Sequence, residues 1–503
     1  MIETRRTFLA RSAAAVIAAL FPEMAAGQRI SELELDPEEN LYLVSDMAPV
    51  VEESTLTDLR VEGTLPKELN GVFLRNGPNP QFRPQNSYHL FEGDGMIHAV
   101  HLENGKATYR NRYVRTAAWK KEHAAGKALY PSVLDPIDWN HMARSILAGE
   151  QPAPNRANTA LVWHHGKLLA LWEGGVPHEV SLPELDTVGE YTFGKKLSHN
   201  FTAHPKVDPE TGELVFYGYQ PMQPYLQHSV ADRTGRITHT TAVPLPRPTM
   251  IHDAAITRRH TVFLDTPAEF DVAGGLRGKP FLKWSPEHGA RIGVLPRYAQ
   301  GAAIKWYDIE TCFVFHVFNA YEEENEIVLH ACRFDHYPAI ADFSGRSKVK
   351  NADWLAKDAR SVAYMWRLNL DTGKVSESAL DDVSVEMPQV DQGRTGTKTR
   401  YGYCSSLMDM ERCTFHKYDF KTGGRVSHRL GEDRVPGEAI FVPREGAKAE
   451  DDGYVLALSY DRVKRQSELV VVAANDFDSA PVARVVIPRR IPVGFHAAWV
   501  PLS

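Results

Sequence analysis

Beyond residue 30, short runs of apolar and β-branched residues alternate with turn signals along the whole chain. In the run MIHAVHLENGKATYRNRYV (96–114), apolar and polar residues alternate on both sides of Asn104-Gly105. This dipeptide favours a type I′ hairpin turn. Near the C-terminus, GYVLALSYD, ELVVVAAND and VARVVIP predict three successive strands. Many short antiparallel strands over this length indicate an all-β fold, either a sandwich array or a propeller. Glycine turns recur at Gly166, Gly212, Gly235, Gly373 and Gly423.

Apolar residues at the spacing of a helix occur in two segments, around residues 134–150 and 351–365. Both lie between strand-rich stretches, which is typical of insertions rather than of a separate domain. No linker rich in Pro, Gly or Ser divides the chain. The sequence therefore predicts a single domain over residues 28–503.

The first 27 residues resemble a twin-arginine export signal. Arg5 and Arg6 precede an apolar stretch from Ala13 to Phe21, and small residues follow. This stretch is shorter than the ~20 residues that span a bilayer, so it predicts a removable signal over 1–27 and no membrane anchor. The expected location is the periplasm, with the protein soluble or peripherally associated with the membrane. Twin-arginine export carries folded, cofactor-loaded proteins, which suits a metal site that is filled before export.

Charge and cysteine content exclude two classes of function. The formal net charge is −7 and no long basic run follows the N-terminus, which excludes nucleic acid as a partner. The four cysteines form no CxxC pair, so they predict ordinary buried thiols rather than a zinc ribbon or a redox dithiol.

Four histidines lie in apolar or aromatic runs that predict β-strands: His204, His252, His316 and His496. A buried imidazole needs a partner for each ring nitrogen, and one metal ion satisfies four rings at once. The chain has 21 histidines, so each of the four is, taken singly, more often a core or surface residue than a ligand. No HExxH pattern is present to favour a metal.

Three glutamates lie in or beside apolar segments, where a lone carboxylate is costly to bury: Glu173, Glu386 and Glu438. A carboxylate that accepts the outward N–H of a metal-bound histidine fixes the ring and raises its basicity. The three would also offset the charge of a divalent cation. Ordinary salt bridges remain the alternative at this point.

Several longer motifs, in this order, make the chain resemble the carotenoid cleavage oxygenase family, which also contains lignostilbene dioxygenases and a retinoid isomerase. The match runs from about residue 40 to the C-terminus. The motifs are LNGVFLRNGPNP, FEGDGMIHAV, FTAHPKVDPETGEL, MIHDAAIT, FHVFNAYEE, GEAIFVPR and GFHAAWVP. The resemblance implies a seven-bladed β-propeller under a dome of loops and short helices, with iron on the propeller axis.

The resemblance also implies roles for individual residues. His204, His252, His316 and His496 would bind Fe(II), and Glu173, Glu386 and Glu438 would hold these ligands from behind. Thr159 matches a position whose side chain shields one iron coordination site. Four histidines leave up to two positions of an octahedron, so a shielding Thr159 would leave one for O2.

No flavin or nicotinamide fingerprint is present, and FEGDG (91–95) indicates a turn rather than a dinucleotide loop. The electrons must therefore come from the substrate. The expected partners are O2 and a lipophilic, electron-rich alkene, which would be cleaved to two carbonyl products.

The choice of alkene depends on two positions. Family members that act on hydroxystilbenes carry Lys directly before the first of the three glutamates and Tyr after an AGKAL-type segment. Here Trp172 precedes Glu173, and Val133 falls near the Tyr position. These differences favour an apocarotenoid or carotenoid, because a polyene needs apolar tunnel walls without a buried charge. A stilbene or phenylpropene resembling isoeugenol is the alternative, since Tyr130 could serve a phenol.

Two other functions fit the same scaffold and rank lower, namely a non-oxidative isomerase and a lipid-binding protein without turnover. A lipophilic substrate also suggests peripheral membrane contact at the tunnel mouth. The stretches AGKALYPSVL (125–134) and DVAGGLRGKPFLKW (271–284) are candidates for that contact, and packing of the dome is the equal alternative.

Overall fold

The computed structural model describes residues 40–502, apart from 86, 133–134, 136–137, 149–152, 278, 280, 339–359, 407–412 and 432. The predicted signal over residues 1–27 lies outside the described residues, as does Val133. No helix of the described part is long and apolar enough to cross a membrane.

The protein is a seven-bladed β-propeller, and each blade is an antiparallel sheet of four to six strands, numbered here in chain order. Blade 1 contains β1 (Ser54–Leu56), β3 (Gly71–Arg75), β4 (Met96–Glu103), β5 (Lys106–Tyr113) and β33 (Ala497–Pro501). Blade 2 contains β6 (Ala160–His164), β7 (Lys167–Leu171), β8 (His178–Val180) and β9 (Thr187–Glu190). Blade 3 contains β10 (Lys206–Val207), β11 (Leu214–Tyr219), β12 (Leu226–Ala231) and β13 (Ile237–Val243). Blade 4 contains β14 (Ala254–Ile256), β15 (His260–Asp265), β18 (Ala290–Pro296) and β19 (Lys305–Ile309).

The remaining blades follow the same antiparallel plan. Blade 5 contains β20 (Phe313–Glu323), β21 (Glu326–Phe334), β22 (Ser361–Asn369) and β23 (Val375–Ser384). Blade 6 contains β24 (Glu386–Gln389), β25 (Tyr401–Ser405), β26 (Thr414–Asp419) and β27 (Gly424–Arg429). Blade 7 contains β2 (Val61–Gly63), β28 (Arg434–Pro436), β29 (Ile440–Pro443), β30 (Gly453–Asp461), β31 (Gln466–Ala473) and β32 (Ala483–Ile487).

Insertions between strands carry the described helices and one small sheet, and the connection from β5 to β6 spans residues 114–159. A two-stranded sheet of β16 (Ala268–Phe270) and β17 (Leu282–Trp284) interrupts blade 4. The described α-helices are α1 (Ala117–Ala125), α2 (Trp139–Leu147) and α3 (Val272–Gly275). Single 3₁₀ turns lie at Leu41–Leu43, Ser45–Met47, Leu90–Glu92, Pro286–His288, Gly301–Ala303, Gln392–Arg394 and Ala474–Asp476.

The ring is closed by strands from both ends of the chain. The C-terminal strand β33 pairs with β3, and the N-terminal strand β2 pairs with β32 in the last blade. Apolar side chains then fill the space between facing sheets, as where Phe73 of blade 1 packs with Leu456 and Leu469 of blade 7. Closure at two places ties both ends of the chain into the ring, so the propeller cannot open without breaking strand pairs.

The innermost strands of neighbouring blades contact one another around the centre of the ring. Strand β14 contacts β20, β20 contacts β24, and β33 contacts both β6 and β29. Any side chain near the start of these strands is therefore close to the propeller axis.

Most strand predictions are confirmed. The hairpin of β4 and β5 turns at Asn104-Gly105, with φ of 53° and 76°, and the three C-terminal strands are β30, β31 and β32. The four cysteines are all buried free thiols. The predicted helix over 134–150 contains α2, whereas the one over 351–365 is wrong in its described part, because Ser361–Asn369 is a strand. Pairing with β21 on one side and β23 on the other overrides the local helical spacing.

Candidate metal centre

Each of the seven blades contributes one histidine or glutamate to the same end of the axis. The histidines come from blades 3, 4, 5 and 1, in the order His204, His252, His316 and His496. The glutamates come from blades 2, 6 and 7, in the order Glu173, Glu386 and Glu438. The structure thus brings together all seven residues that the sequence singled out.

The prediction that all four histidines lie within strands is wrong for three of them. His204, His252 and His496 lie in loops just before β10, β14 and β33, and only His316 is inside a strand, β20. The β20–β21 ladder is itself irregular between Val314 and Val317, where His316 lies. Side chains within a regular strand point to the two faces of the blade rather than to the propeller axis. A histidine that points to the axis therefore lies where strand pairing stops or bulges.

The ring nitrogens of the histidines converge. The Nε2 atom of His252 is 3.1 Å from Nε2 of His204 and 3.2 Å from Nε2 of His316. Ligand atoms of these three residues all lie within 4.8 Å of one another. The His496 ring completes the set, since its centroid is 4.6 Å from that of His204 and 4.7 Å from that of His316.

Three of the histidines contact a glutamate through the opposite ring nitrogen. The Nδ1 atoms of His252, His316 and His496 lie 2.5, 2.7 and 3.0 Å from carboxylate oxygens of Glu173, Glu386 and Glu438, in that order. No glutamate pairs with His204 in the described part of the chain. Where the carboxylate is ionised it only accepts, so the Nδ1 atom that faces it carries a proton, and the Nε2 atom of that ring is directed to the centre.

Lone pairs about 3 Å apart repel one another unless a cation lies between them. Two nitrogens bound at right angles to one ion, each at ~2.1 Å, are about 3.0 Å apart. The observed Nε2 spacings therefore fit neighbouring ligands of a single metal ion. Each of His252, His316 and His496 keeps about 10% of its side-chain exposure, so a ligand can reach the rings.

The glutamates are themselves fixed by donors. The Tyr219 hydroxyl donates to Oε2 of Glu173, and the amide N–H of Met387 donates to Oε2 of Glu386 at 2.6 Å. Glu438 accepts from the side-chain amide of Gln389 at 2.8 Å and from the Ala497 N–H at 2.5 Å. Sequence reasoning missed Tyr219 and Gln389, because a polar group on a strand gives no local sign of what it faces.

Burial and the glutamates set the protonation of the site. Burial lowers the pKa values of His204 and His316 well below their usual range, and the neighbouring imidazoles lower them further. These two rings are therefore neutral at pH 7, which is the form that binds metal. Burial also lowers the pKa of His252, but the Glu173 carboxylate outweighs burial and leaves that pKa raised.

The carboxylates respond to burial in different ways. Burial raises the pKa of Glu386 to about 8, although the Met387 N–H opposes this shift. Burial also acts to raise the pKa of Glu438, but His496 and the donors around the carboxylate outweigh it and leave the pKa lowered. A cation at the centre would favour the ionised form of both carboxylates.

Thr159 lies directly before β6 and is joined to the site through the backbone. Its carbonyl accepts from the His496 N–H at 3.2 Å, and its hydroxyl donates to Oδ1 of Asn158 at 3.0 Å. This hydrogen bond fixes the orientation of the Thr159 side chain beside the site. Asn158 in turn donates to the carbonyls of Phe91 and Gly93, and FEGDG is a turn between β3 and β4, as predicted.

Trp172 is a half-buried residue between β7 and Glu173, the glutamate that contacts His252. Its carbonyl accepts from the Gly175 N–H at 3.2 Å, which closes the turn that presents Glu173. The position of Trp172 beside the site is therefore fixed by the same turn as the glutamate.

Similarity to known proteins extends over nearly the whole chain. The family described as retinal pigment epithelial membrane protein matches residues 47–501. Carotenoid 9,10(9′,10′)-cleavage dioxygenase 1 of Arabidopsis thaliana is 38% identical over 488 residues, which cover 91% of this chain and 89% of the relative. Isoeugenol monooxygenase of Pseudomonas nitroreducens is 33% identical over 478 residues, covering 91% and 98%. The crystal structure of lignostilbene dioxygenase from Pseudomonas brassicacearum superposes with a TM-score of 0.82 at 28% identity, covering 92% of this chain and 98% of the other.

Proposed function

Since this chain belongs to the carotenoid cleavage oxygenase family, we propose that it is a non-haem Fe(II) dioxygenase that cleaves a C=C bond of an apocarotenoid or carotenoid. O2 is the co-substrate, and the products are two carbonyl compounds. The observation that carries the proposal is the convergence of four imidazoles with three carboxylates behind them.

The donor set suits ferrous iron. His204, His252, His316 and His496 would hold the ion through neutral imidazole nitrogens, which bind Fe, Zn, Cu and Ni. The three glutamates contact the Nδ1 atoms on the far side of the rings, and they would offset the ion's charge from behind. When bound, ferrous iron supplies the binding and activation of O2.

The residues of the chain would position and shield the reaction rather than transfer protons. Addition of both oxygen atoms of O2 across one C=C bond gives two C=O groups, so the atoms balance without an acid, a base or an external reductant. The protein's task is to fix one double bond beside the iron and to keep water out. Thr159 would close one face of the iron, since its backbone is joined to that of His496.

Two relatives bear on the substrate. The relative at 38% identity is named for carotenoid cleavage and the one at 33% for isoeugenol. Trp172 supports a polyene, because it provides an aromatic wall where a phenol-binding lysine would otherwise stand. Tyr130 supports the alternative, a stilbene or phenylpropene. The Arg156 guanidinium lies 5.6 Å from its ring and is paired with Asp94 and Glu122.

Product analysis with isotopically labelled O2 tests this function. The iron-loaded enzyme is given a panel of apocarotenals, stilbenes and isoeugenol-like phenols, and products are identified by mass spectrometry. We expect cleavage of an apocarotenoid or carotenoid with label in both carbonyl products. An isomerised product without label would support an isomerase, and stoichiometric capture without any product would support a binding protein. Either of these results would overturn the proposed dioxygenase.

The twin-arginine signal supports export to the periplasm as part of the same proposal. A fusion of residues 1–27 to a reporter that is active only after export tests it. Loss of export on replacing Arg5 and Arg6 by Lys is the expected result. Export that continues through this change would contradict the assignment.

Peripheral membrane contact is supported at one of the two candidate stretches. In 271–284, Leu276 and Phe281 are 52% and 41% exposed beside α3, whereas Ala128 of the other stretch is buried. We expect the protein to sediment with liposomes, and Leu276→Ser with Phe281→Ser to abolish this. No sedimentation of the native protein would remove the proposal.

A further inference from the structure

The guanidinium of Arg75 is buried at the junction of the first and last blades without a partner. Arg75 ends β3, next to the closing strand β33, and is 5% exposed. Its side chain makes no hydrogen bond or ion pair in the described part of the chain, and its Nε is fully enclosed. A Cβ on Gly494 would lie 2.7 Å from the Arg75 Cζ, so the backbone packs directly against the cation.

The surroundings of Arg75 carry excess positive charge. Burial lowers the pKa of Arg75 to about 10, which still leaves it charged at pH 7, and the one ionisable group that favours the charge is the Tyr109 phenol. That phenol is neutral, because burial raises its pKa. Burial, Arg75, Arg489 and Arg490 together lower the pKa of His98 well below its usual range, so this ring is neutral at pH 7 and supplies no counter-charge either.

The neighbouring arginines do not supply the missing counter-charge. Arg489 contacts Glu52 at 3.1 Å, but that carboxylate is 79% exposed and already paired. Arg490 donates to backbone carbonyls of Ala48 and Pro49. A buried charge without a counter-charge is costly, and native proteins pair such groups or bind an ion.

Neutral donors stand beside the cation. The His98 Nδ1 lies 2.8 Å from the Tyr109 hydroxyl, and both side chains are buried. If the hydroxyl donates to Nδ1, the proton of the neutral ring is on Nε2. If Nδ1 donates instead, the hydroxyl proton is free. Either arrangement leaves one N–H or O–H of this pair for a further acceptor.

We propose that Arg75, with His98 and Tyr109, forms a buried binding site for a small inorganic anion such as chloride between blades 1 and 7. The anion neutralises the guanidinium and accepts the remaining donor of the His98–Tyr109 pair. Because the site lies where the two ends of the chain close the ring, the bound anion stabilises the closed propeller.

Chloride dependence of the melting temperature tests the site in the iron-loaded, full-length protein. Chloride is raised from 1 to 100 mM at constant ionic strength with gluconate as the balancing anion. We expect the melting temperature to rise by about 2–3 °C, as for a site that saturates over this range. Crystals soaked in bromide should show an anomalous peak within hydrogen-bonding distance of the Arg75 guanidinium.

Arg75→Met should lose both the chloride response and the bromide peak. Arg297→Met is the matched control, because Arg297 is equally buried but paired with Asp208 at 2.6 Å and Glu213 at 3.2 Å. Arg297→Met should lower the melting temperature, because it breaks these ion pairs, and should keep the response of the melting temperature to chloride. If Arg75→Met does not fold, the bromide peak in the native protein still decides. No peak at Arg75, peaks only on the surface, or an unchanged response in Arg75→Met would overturn the proposal.

Discussion

A glutamate at Nδ1 decides what a buried histidine can do at its other nitrogen. Three of the four central histidines have such a partner, and His204 has none in the described part of the chain. The partnered rings are held in one orientation with their Nε2 atoms directed to the centre, so the site is shaped before a metal binds. Glu438 is the most completely held of the three carboxylates, since it contacts His496, Gln389 and the Ala497 N–H.

Glu438→Gln should weaken iron binding by about 10–100-fold, because a neutral amide cannot hold the His496 ring or offset the ion's charge as a carboxylate does. Titration of the metal-free protein with ferrous iron measures the change. Glu445→Gln is the control, since Glu445 is exposed and lies in the loop after β29. An iron affinity equal to that of the native protein would show that Glu438 does not support the ligand.

Trp172→Lys should shift substrate preference towards hydroxylated aromatic alkenes, because it places an ammonium group beside the site where a phenolate could bind. The ratio of kcat/KM for a stilbene to that for an apocarotenal measures the shift. Trp163→Lys, at an exposed position on β6 of the same blade, is the control. The same ratio in Trp172→Lys and in the native enzyme would show that position 172 does not select substrate.

At the scale of elements, the loops that lead into the inner strands carry the site. The runs around His204, His252 and His496 predict strands, but the residues beside these histidines are buried by the packing of loops over the ring, as Phe201, Ile251 and Phe495 are. A buried loop and a buried strand both appear in the sequence as a run of apolar residues, so the sequence does not distinguish them. The residues that carry chemistry could thus be predicted, whereas the exact ends of their strands could not.

Asn158→Ala tests the hydrogen bonds that hold the FEGDG segment against the residues just before β6. The change leaves the carbonyls of Phe91 and Gly93 without their donor, so we expect the free energy of unfolding to fall by about 2 kcal/mol and kcat/KM to fall with it. Denaturant unfolding and steady-state kinetics measure the two effects.

Asn319→Ala is the matched control for this change. Asn319, in β20, is also buried. Its side chain donates to the carbonyls of Arg394 and Thr397, which lie in the loop after β24. We expect a similar loss of stability with kcat/KM unchanged. Equal losses of kcat/KM in both variants would show that stability, rather than the loop beside Thr159, accounts for the effect.

At the scale of the whole molecule, the metal centre depends on ring closure. His496 directly precedes β33, which pairs with β3 more than four hundred residues earlier in the chain. Local pattern could predict the hairpins and the all-β class, but not seven blades, because the gaps between turns are irregular and closure is a long-range contact. The blade number came from the resemblance to a family, and the structure confirms it.

Removing the metal should therefore destabilise the whole propeller, because the ion links residues from four blades. A metal that is present at 100 times its dissociation constant contributes about 2.7 kcal/mol, so a chelator should lower the melting temperature by about 3 °C. His252→Ala should melt at the lower temperature with or without chelator. A melting temperature of the native protein that does not respond to chelator would contradict this link between metal and fold.

X-ray absorption at the iron edge, with metal analysis of the active protein, tests the central claim most directly. We predict one iron per chain with four nitrogen ligands at ~2.1 Å, and loss of both iron and activity in His252→Ala. Zinc or no metal in protein that still cleaves its substrate would contradict the account, as would a metal environment without four imidazoles.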